Sequence, residues 1–215
     1  MKVIEIFDSI DGEGIFAGEL ATFIRLAGCN LRCRYCDTKY SFDPQNAEDM
    51  SITTIVNKCI SIGNKHVTLT GGEPLIHKEA KLLINSLCNN GHIVNIETNG
   101  SIDVMPYQLP NTIITADYKT ISSGENKRMH LLNLINLREC DVLKIVCAPV
   151  DLYDVEKLIT EYSTKAIVIL SPIYGEIDPV ELVEFMKKIR GKTSNRIKMQ
   201  IQLHKIIWDA DKRGV

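Results

Sequence analysis

Short apolar runs alternate with longer amphipathic segments along most of this sequence. The runs are nearly continuous in apolar residues, which is typical of strands that are buried on both faces of a parallel sheet. A chain with this alternation can bury its apolar surface in few ways other than a sheet covered by helices. The predicted strands are residues 21–26, 66–70, 93–98, 112–117, 142–146, 166–171 and 198–203.

The segments between the strands carry apolar residues three or four positions apart, as amphipathic helices do. The predicted helices are residues 53–62, 78–89, 130–137, the segment around 155–159, and 180–189, which Asp178 and Pro179 introduce as cap and first residue. Alternating strands and helices imply right-handed crossovers and a parallel sheet. About six such units in this length predict an α/β fold with an incomplete barrel or a strongly curved open sheet.

Length and charge narrow the classes of protein that remain. The chain has 215 residues, a length typical of one domain, and we expect one domain over residues 1–215. Its 25 basic and 27 acidic residues provide no basic field for nucleic acid or an anionic membrane. Apolar runs fall far short of the roughly 20 residues that a bilayer requires, and the N-terminus lacks the features of a signal peptide. We therefore expect a cytoplasmic protein with neither nucleic acid nor membrane as partner.

Three of the seven cysteines, Cys29, Cys33 and Cys36, lie in the loop after the first predicted strand. An odd number of cysteines in a chain without a secretory signal argues against a disulfide scaffold. The spacings of four and three residues allow a compact loop to bring three thiolates around one centre. Structural zinc prefers four protein ligands, whereas an iron–sulfur cube can leave one iron free for a ligand. Buried cysteines that act only as small apolar residues fit this polar loop poorly.

Glycines and polar residues follow the later strands, at the end of the sheet where ligands bind in such folds. After the second strand, Gly71 and Gly72 permit close approach to the backbone, and Glu73 could pair with an ammonium group. An ordinary turn with a solvated glutamate is the alternative. Polar residues also follow the other strands, at 97–101, 117–119 and 171–174, and Lys144 lies within the fifth strand.

The spacing Cys-x3-Cys-x2-Cys, with Tyr35 before the last cysteine, resembles the signature of the radical S-adenosylmethionine superfamily. The resemblance implies a partial TIM-like barrel in which Cys29, Cys33 and Cys36 bind a [4Fe-4S] cluster. The amino and carboxylate groups of S-adenosylmethionine would then bind the open iron. The contacts to this cofactor that the resemblance implies are Tyr35, Cys36, Asp37, Gly72, Glu73, Thr98, Asp117, Tyr118, Lys119, Ser171, Pro172, Ile173 and Tyr174.

Further segments resemble the 7-carboxy-7-deazaguanine synthase family within that superfamily. They are the loop at 10–14, the strand at 23–29, Asp37-Thr38 and the tail at 200–215; Asp11 stands where the family has Gln. The resemblance implies that the N-terminal loop and the C-terminal tail close the site, and that the Thr38 hydroxyl binds Mg2+. The implied substrate contacts are Ile10, Asp11, Gly12, Glu13, Arg25, Thr70, His204 and Val215, with Arg25 at the substrate carboxylate.

A family member of this kind is a lyase of queuosine and 7-deazapurine biosynthesis. The resemblance implies conversion of 6-carboxy-5,6,7,8-tetrahydropterin into 7-carboxy-7-deazaguanine with release of ammonia. A 5′-deoxyadenosyl radical would abstract hydrogen at C6, the ring would contract, and the returned hydrogen would regenerate S-adenosylmethionine. The implied cofactors are a [4Fe-4S] cluster, S-adenosylmethionine and Mg2+. The implied partners are the pterin, an electron donor such as flavodoxin or ferredoxin, and a second copy in a homodimer.

Two alternatives remain open from the sequence. A glycyl-radical activating enzyme shares the three cysteines, the Gly-Gly pair and an Asp-x-Lys such as 117–119, but it acts on a protein backbone. The loop around Glu13, Arg25 and the C-terminal tail argue against it. A non-enzymatic iron–sulfur electron carrier normally has four cysteine ligands for each cluster. A zinc-stabilised module would also need a fourth ligand.

Overall fold

The computed structural model describes residues 1–210 and 212–215. Its strands are β1 (Lys2–Ile10), β2 (Leu20–Leu26), β3 (Glu48–Asp49), β4 (His66–Gly71), β5 (Ile93–Thr98), β6 (Thr112–Lys119), β7 (Val142–Cys147), β8 (Ile167–Pro172) and β9 (Ile197–Met199). Its α-helices are α1 (Ile52–Ile62), α2 (Ala80–Asn89), α3 (Asn133–Asn136), α4 (Leu152–Glu161), α5 (Pro179–Lys188) and α6 (His204–Ile207).

Within the described residues, the strands form one sheet in the order β3-β1-β2-β4-β5-β6-β7-β8-β9. β1 runs antiparallel to β2 and β3, whereas every neighbouring pair from β2 to β9 is parallel. Parallel neighbours need crossover connections, and α1 to α5 lie in these crossovers. Because β3 and β9 are edges, the sheet does not close. The predicted α/β fold with a mostly parallel, incomplete barrel is confirmed.

Both faces of the central strands are buried, but they differ in chemistry. Alternate side chains point to opposite faces of a strand. One set packs with the helices in an apolar core that includes Val67, Leu69, Ile96, Ile114 and Ile145. The other set is buried and polar, and it includes Thr68, Asn95, Thr115 and Lys144. We call this second surface the inner face; it leads up to the site described below.

Local capping explains where two of the helices begin. The Ser51 hydroxyl accepts a hydrogen bond from the Thr54 amide at 3.1 Å at the start of α1. The Asp178 carboxylate accepts one from the Val180 amide at 2.9 Å, and Pro179 occupies the first position of α5. The predicted Asp-Pro helix start is therefore confirmed.

The sequence predictions differ from the structure in several elements, and the short strand β3 and helix α6 were not predicted. The strand β1 was not predicted, because Glu5 and Asp8 interrupt its apolar residues. The last predicted strand, 198–203, is reduced to β9 because the chain turns to bring the Leu203 amide to the Gly12 carbonyl at 3.1 Å. The predicted helix at 130–137 is reduced to α3. No helix in the described part of the chain has the length and apolar character that crossing a membrane requires.

Candidate active site at the carboxyl ends of the strands

A cavity of about 700 Å³ opens where the parallel strands end on the inner face. This volume lies within the usual range for small-molecule sites. The loops after β1 and β2, the ends of β4 to β7 and the C-terminal tail all contribute to its wall. All of the predicted substrate contacts line it: Ile10, Asp11, Gly12, Glu13, Arg25, Thr70, His204 and Val215.

The cysteine loop forms one side of this cavity, and Cys29, Cys33, Cys36 and Thr38 all line it. The Cys29 sulfur accepts hydrogen bonds from the Leu31 amide at 3.4 Å and the Asn99 side chain at 3.7 Å. Burial, with smaller effects from Cys36 and Cys29, raises the pKa of the Cys33 thiol to about 11, although Lys119 acts to lower it. The three thiols therefore act on one another electrostatically.

The donor set of this loop fits a cubane cluster. Among the described residues, no three histidine, cysteine or carboxylate side chains converge closely enough to hold one metal ion. A cubane makes a different demand, since each cysteine binds its own iron, and N–H donors to the sulfurs tune such clusters. Gly72 supplies the necessary space beside the loop. A Cβ atom there would collide with the Gly28 carbonyl oxygen and lie 2.8 Å from the Cys29 Cβ.

Glu73 braces the loops that follow β4 and β5. Its Oε1 accepts hydrogen bonds from the Leu75 amide at 2.9 Å and the Thr98 hydroxyl at 2.8 Å, and its Oε2 accepts one from the Asn99 amide at 2.6 Å. Burial raises the pKa of this carboxyl to about 7. Glu73 is fully buried and is not among the residues that line the cavity.

The other predicted cofactor contacts divide into two groups. Those that line the cavity are Tyr35, Cys36, Asp37, Gly72, Thr98, Asp117, Lys119, Ile173 and Tyr174. Tyr118 lies on the opposite face of β6, against the apolar core, because side chains alternate along the strand. Ser171 is fully buried, and its hydroxyl has no hydrogen-bond partner among the residues described. Pro172 lines a neighbouring cavity of about 600 Å³.

The buried carboxyl group of Asp11 and the partly buried one of Glu97 lie at the floor of the cavity. The Thr68 hydroxyl donates to Asp11 Oδ2 at 2.8 Å, and the Thr70 hydroxyl donates to Glu97 Oε2 at 3.0 Å. Within the described residues, neither carboxyl forms an ion pair with a lysine or arginine. The nearby Lys144 ammonium pairs with Glu13 and Asp117 instead. Burial, followed by repulsion from Glu97, raises the pKa of Asp11 to about 7. Burial also raises the pKa of Glu97.

Ionised pairs lie beside this floor. The Lys144 ammonium donates to Glu13 Oε2 at 2.9 Å and lies 3.4 Å from Asp117 Oδ1. The Lys119 ammonium donates to Asp117 Oδ2 at 2.6 Å. Burial opposes the charge of Lys144, but Asp117 and Glu13 raise its pKa well above the ordinary value. The site therefore contains a fixed ammonium between two carboxylates.

A second charged group surrounds Arg25. Its Nε donates to Glu5 Oε1 at 2.7 Å, and the Tyr40 hydroxyl donates to the same oxygen at 2.8 Å. The Arg213 guanidinium lies 4.0 Å from the centre of the Tyr40 ring. The sequence predictions missed Glu5 and Tyr40. The alternation of charged and apolar residues in β1 was a signal for Glu5, whereas nothing local marked Tyr40.

The N-terminal loop and the C-terminal tail interlock over the cavity. The Gly14 amide donates to Gln200 Oε1 at 2.7 Å, and Gln200 Nε2 donates back to the Gly14 carbonyl at 3.1 Å. A Cβ atom at Gly12 would collide with the His204 ring, so only glycine allows this close approach. Lys205 in the tail lies 3.2 Å from Asp37 of the cysteine loop. Although burial opposes ionisation, Lys205 holds the pKa of Asp37 below its ordinary value.

Comparisons with known proteins agree with this geometry. The family model of the radical SAM superfamily matches residues 23–111. A 7-carboxy-7-deazaguanine synthase of Clostridium acetobutylicum is 41% identical, with 100% of this chain and 99% of the relative covered. One of Chlorobaculum tepidum is 36% identical, with 100% and 97% covered. The crystal structure of QueE from Escherichia coli has a TM-score of 0.73 and 26% identity, and 93% of each chain is covered. The chain therefore belongs to the 7-carboxy-7-deazaguanine synthase family of radical SAM enzymes.

Proposed function

We propose that this chain converts 6-carboxy-5,6,7,8-tetrahydropterin into 7-carboxy-7-deazaguanine and ammonia. One observation carries the proposal: the cysteine loop and the interlocked loop and tail line the same cavity. A small substrate in this cavity lies against the loop that would hold the cluster. A glycyl-radical activating enzyme must instead admit a protein backbone, and that alternative is not favoured by the relatives of this chain.

The cysteine loop provides the ligands for the cofactors of the superfamily. Cys29, Cys33 and Cys36 would hold the [4Fe-4S] cluster, and Asp117 and Lys119 lie nearby for contacts with S-adenosylmethionine. When bound, the cluster and S-adenosylmethionine supply the 5′-deoxyadenosyl radical that abstracts hydrogen from the substrate. The remaining proposed contacts are Tyr35, Asp37, Gly72, Glu73, Thr98, Ser171, Pro172, Ile173 and Tyr174; Tyr118 is left out because its side chain packs on the core face of β6.

The protein residues orient the pterin. Arg25 offers a planar guanidinium to the substrate carboxylate, and its existing bond to Glu5 fixes the direction of that group. Glu13 Oε1 is buried and has no hydrogen-bond partner among the residues described, so it is free to accept an N–H of the pterin. Thr70 and His204 line the same cavity. Orientation of this kind brings the reacting carbon to a fixed place.

The interlocked loop and tail limit the access of water. Gly12, Gly14, Gln200 and His204 hold them together through the contacts described above. A reactive radical site benefits from such exclusion, because water and other hydrogen donors would divert the reaction. We accordingly propose that residues 1–215 act as one domain, with Val215 facing the substrate.

Further parts of the proposal concern metal, partners and compartment. Thr38 lines the cavity beside the cysteine loop, and we propose that its hydroxyl contributes one ligand to a Mg2+ ion shared with the substrate. The enzyme requires an external electron donor such as flavodoxin or ferredoxin. We also propose a homodimer in the cytoplasm, where the seven unpaired cysteines would stay reduced.

The proposed function is tested by anaerobic reconstitution with iron and sulfide. The protein is then incubated with the pterin, S-adenosylmethionine, Mg2+ and a reductant, without any partner protein. Mass spectrometry should detect 7-carboxy-7-deazaguanine for the wild type and for Cys140→Ala, which removes an exposed thiol outside the cavity. Cys33→Ala should give none. An intact cluster that yields no product with the pterin would overturn the proposal.

A further inference from the structure

Lys144 is a buried ammonium group on the inner face of β7. Its neighbours along the inner face, Val142 and the β8 residues Ile167 and Ile169, form a small apolar cluster. A lysine that served only to fill space at this position would be costly, since a buried charge must be paired. The pairing it has, with Glu13 and Asp117, links two different parts of the site.

The two partners depend on Lys144 to different extents. Asp117 also accepts a hydrogen bond from Lys119 at 2.6 Å, so it keeps a cation if Lys144 is removed. Within the described residues, Glu13 forms one ion pair, with Lys144 at 2.9 Å. Loss of Lys144 would therefore leave the largely buried Glu13 without a cation, while Asp117 would remain paired.

The bond to Lys144 also determines which oxygen of Glu13 is available. Lys144 occupies Oε2, whereas Oε1 is buried and has no hydrogen-bond partner among the residues described. Buried carboxylate oxygens normally accept a hydrogen bond. One without a partner in a residue that lines a cavity indicates that a bound ligand supplies the N–H or O–H donor. The Lys144 contact holds Oε2 in place and thus restricts the direction in which Oε1 faces.

We infer that Lys144 is a positioning residue for substrate recognition, which holds the Glu13 carboxylate so that its free oxygen accepts an N–H of the pterin. The inference rests on the proposed function, because it takes the pterin as the ligand. Lys144 acts through Glu13 and takes no part in hydrogen transfer. Its removal should weaken binding of the pterin and leave binding of S-adenosylmethionine nearly unchanged.

The test uses reconstituted, cluster-loaded enzyme and a double-mutant cycle. Pterin affinity is measured by anaerobic calorimetry for the wild type, Lys144→Met, Glu13→Gln and the double variant. We expect Lys144→Met to weaken pterin binding roughly 30-fold, which corresponds to the loss of about one hydrogen bond between the pterin and the charged Glu13 carboxylate. In the Glu13→Gln background, the same substitution should weaken it less than about threefold.

Two additional measurements separate this role from a general structural one. The change that S-adenosylmethionine produces in the electron paramagnetic resonance spectrum of the cluster should titrate at the same concentration in Lys144→Met and wild type. Thermal unfolding identifies any variant that fails to fold. If Lys144→Met does not fold, Lys144→Arg replaces it in the cycle. Because arginine retains the charge, the expected loss of pterin affinity is then smaller. Equal losses of pterin affinity in both Glu13 backgrounds would overturn the inference. A wild type that makes no product would instead overturn the proposed function.

Discussion

The buried carboxyl group of Asp11 makes the stability of this protein depend on pH. Asp11 is 1% exposed, and the surrounding charged groups are Glu97, Glu13 and Lys144, with His204 against the neighbouring Gly12. Burial and repulsion from Glu97 favour the protonated form. The substitution Asp11→Asn replaces this group with a neutral side chain of nearly the same shape.

The magnitude follows from the two pKa values. The pKa of Asp11 rises from 3.8 to about 7 on folding, so the folded state retains a proton that the unfolded state loses. Each pH unit of rise between these two pKa values lowers the free energy of unfolding by about 1.4 kcal/mol. This contribution to stability is fully present below the lower pKa and is lost as the pH rises to about 7. The free energy of unfolding should fall by up to about 4 kcal/mol over this interval.

Urea unfolding of wild type and Asp11→Asn between pH 5 and pH 8 measures this effect. Between pH 5 and pH 7, the wild type should lose about 3 kcal/mol of free energy of unfolding relative to Asp11→Asn. Above pH 7 the difference between the two proteins should level off. In a Glu97→Gln background, the shift should move to lower pH, because repulsion from Glu97 is removed. A difference that is constant with pH would refute the argument that Asp11 is protonated in the folded protein.

Three further predictions concern the loops around the cavity. Gly72→Ala should destabilise the protein by about 1–3 kcal/mol and lower its iron content after reconstitution, because the added Cβ meets the Gly28 backbone; unchanged iron content would contradict this. Glu73→Gln should cost about 1–3 kcal/mol in urea unfolding at pH 8, because an amide nitrogen would face the N–H and O–H donors that the carboxylate accepts; unchanged stability would contradict the bracing role. Gly12→Ala should raise the KM for the pterin about tenfold by displacing His204, with the affinity for S-adenosylmethionine unchanged; an unchanged KM would show that the tail is not needed for binding.

The strands and helices that form the apolar core could be predicted from the sequence. Residues such as Leu69 and Ile114 lie in runs whose apolar character is independent of any particular neighbour. The strand β1 could not be predicted in this way, because charged residues such as Glu5 belong to the site rather than to the core. The C-terminal segment was predicted to be a longer strand. Its turn depends on the hydrogen bond from Leu203 to Gly12, and Gly12 is far away in the sequence.

The candidate site was predictable to the extent that its residues form local motifs. The cysteine loop, the glycines after β4 and the tail could each be recognised as short segments, and their residues line one cavity. The roles of Lys144 and Tyr40 could not be recognised, because each depends on partners from other elements. The sequence motif predicted the same cofactor role for Tyr118 as for Asp117 and Lys119. Only the structure shows that the Tyr118 side chain lies on the core face of β6.

The sequence alone determined the fold class, the cysteine loop and the family, because apolar periodicity and short motifs are local properties of the chain. The tertiary structure decided which carboxyl groups lie beside a cation and which lie beside a hydroxyl group. Asp11 and Glu13 are two residues apart in one loop, yet Glu13 meets the ammonium of Lys144 and Asp11 meets the hydroxyl of Thr68. Charge inside a protein depends on distances to groups from distant strands, and these distances exist only after the sheet has formed.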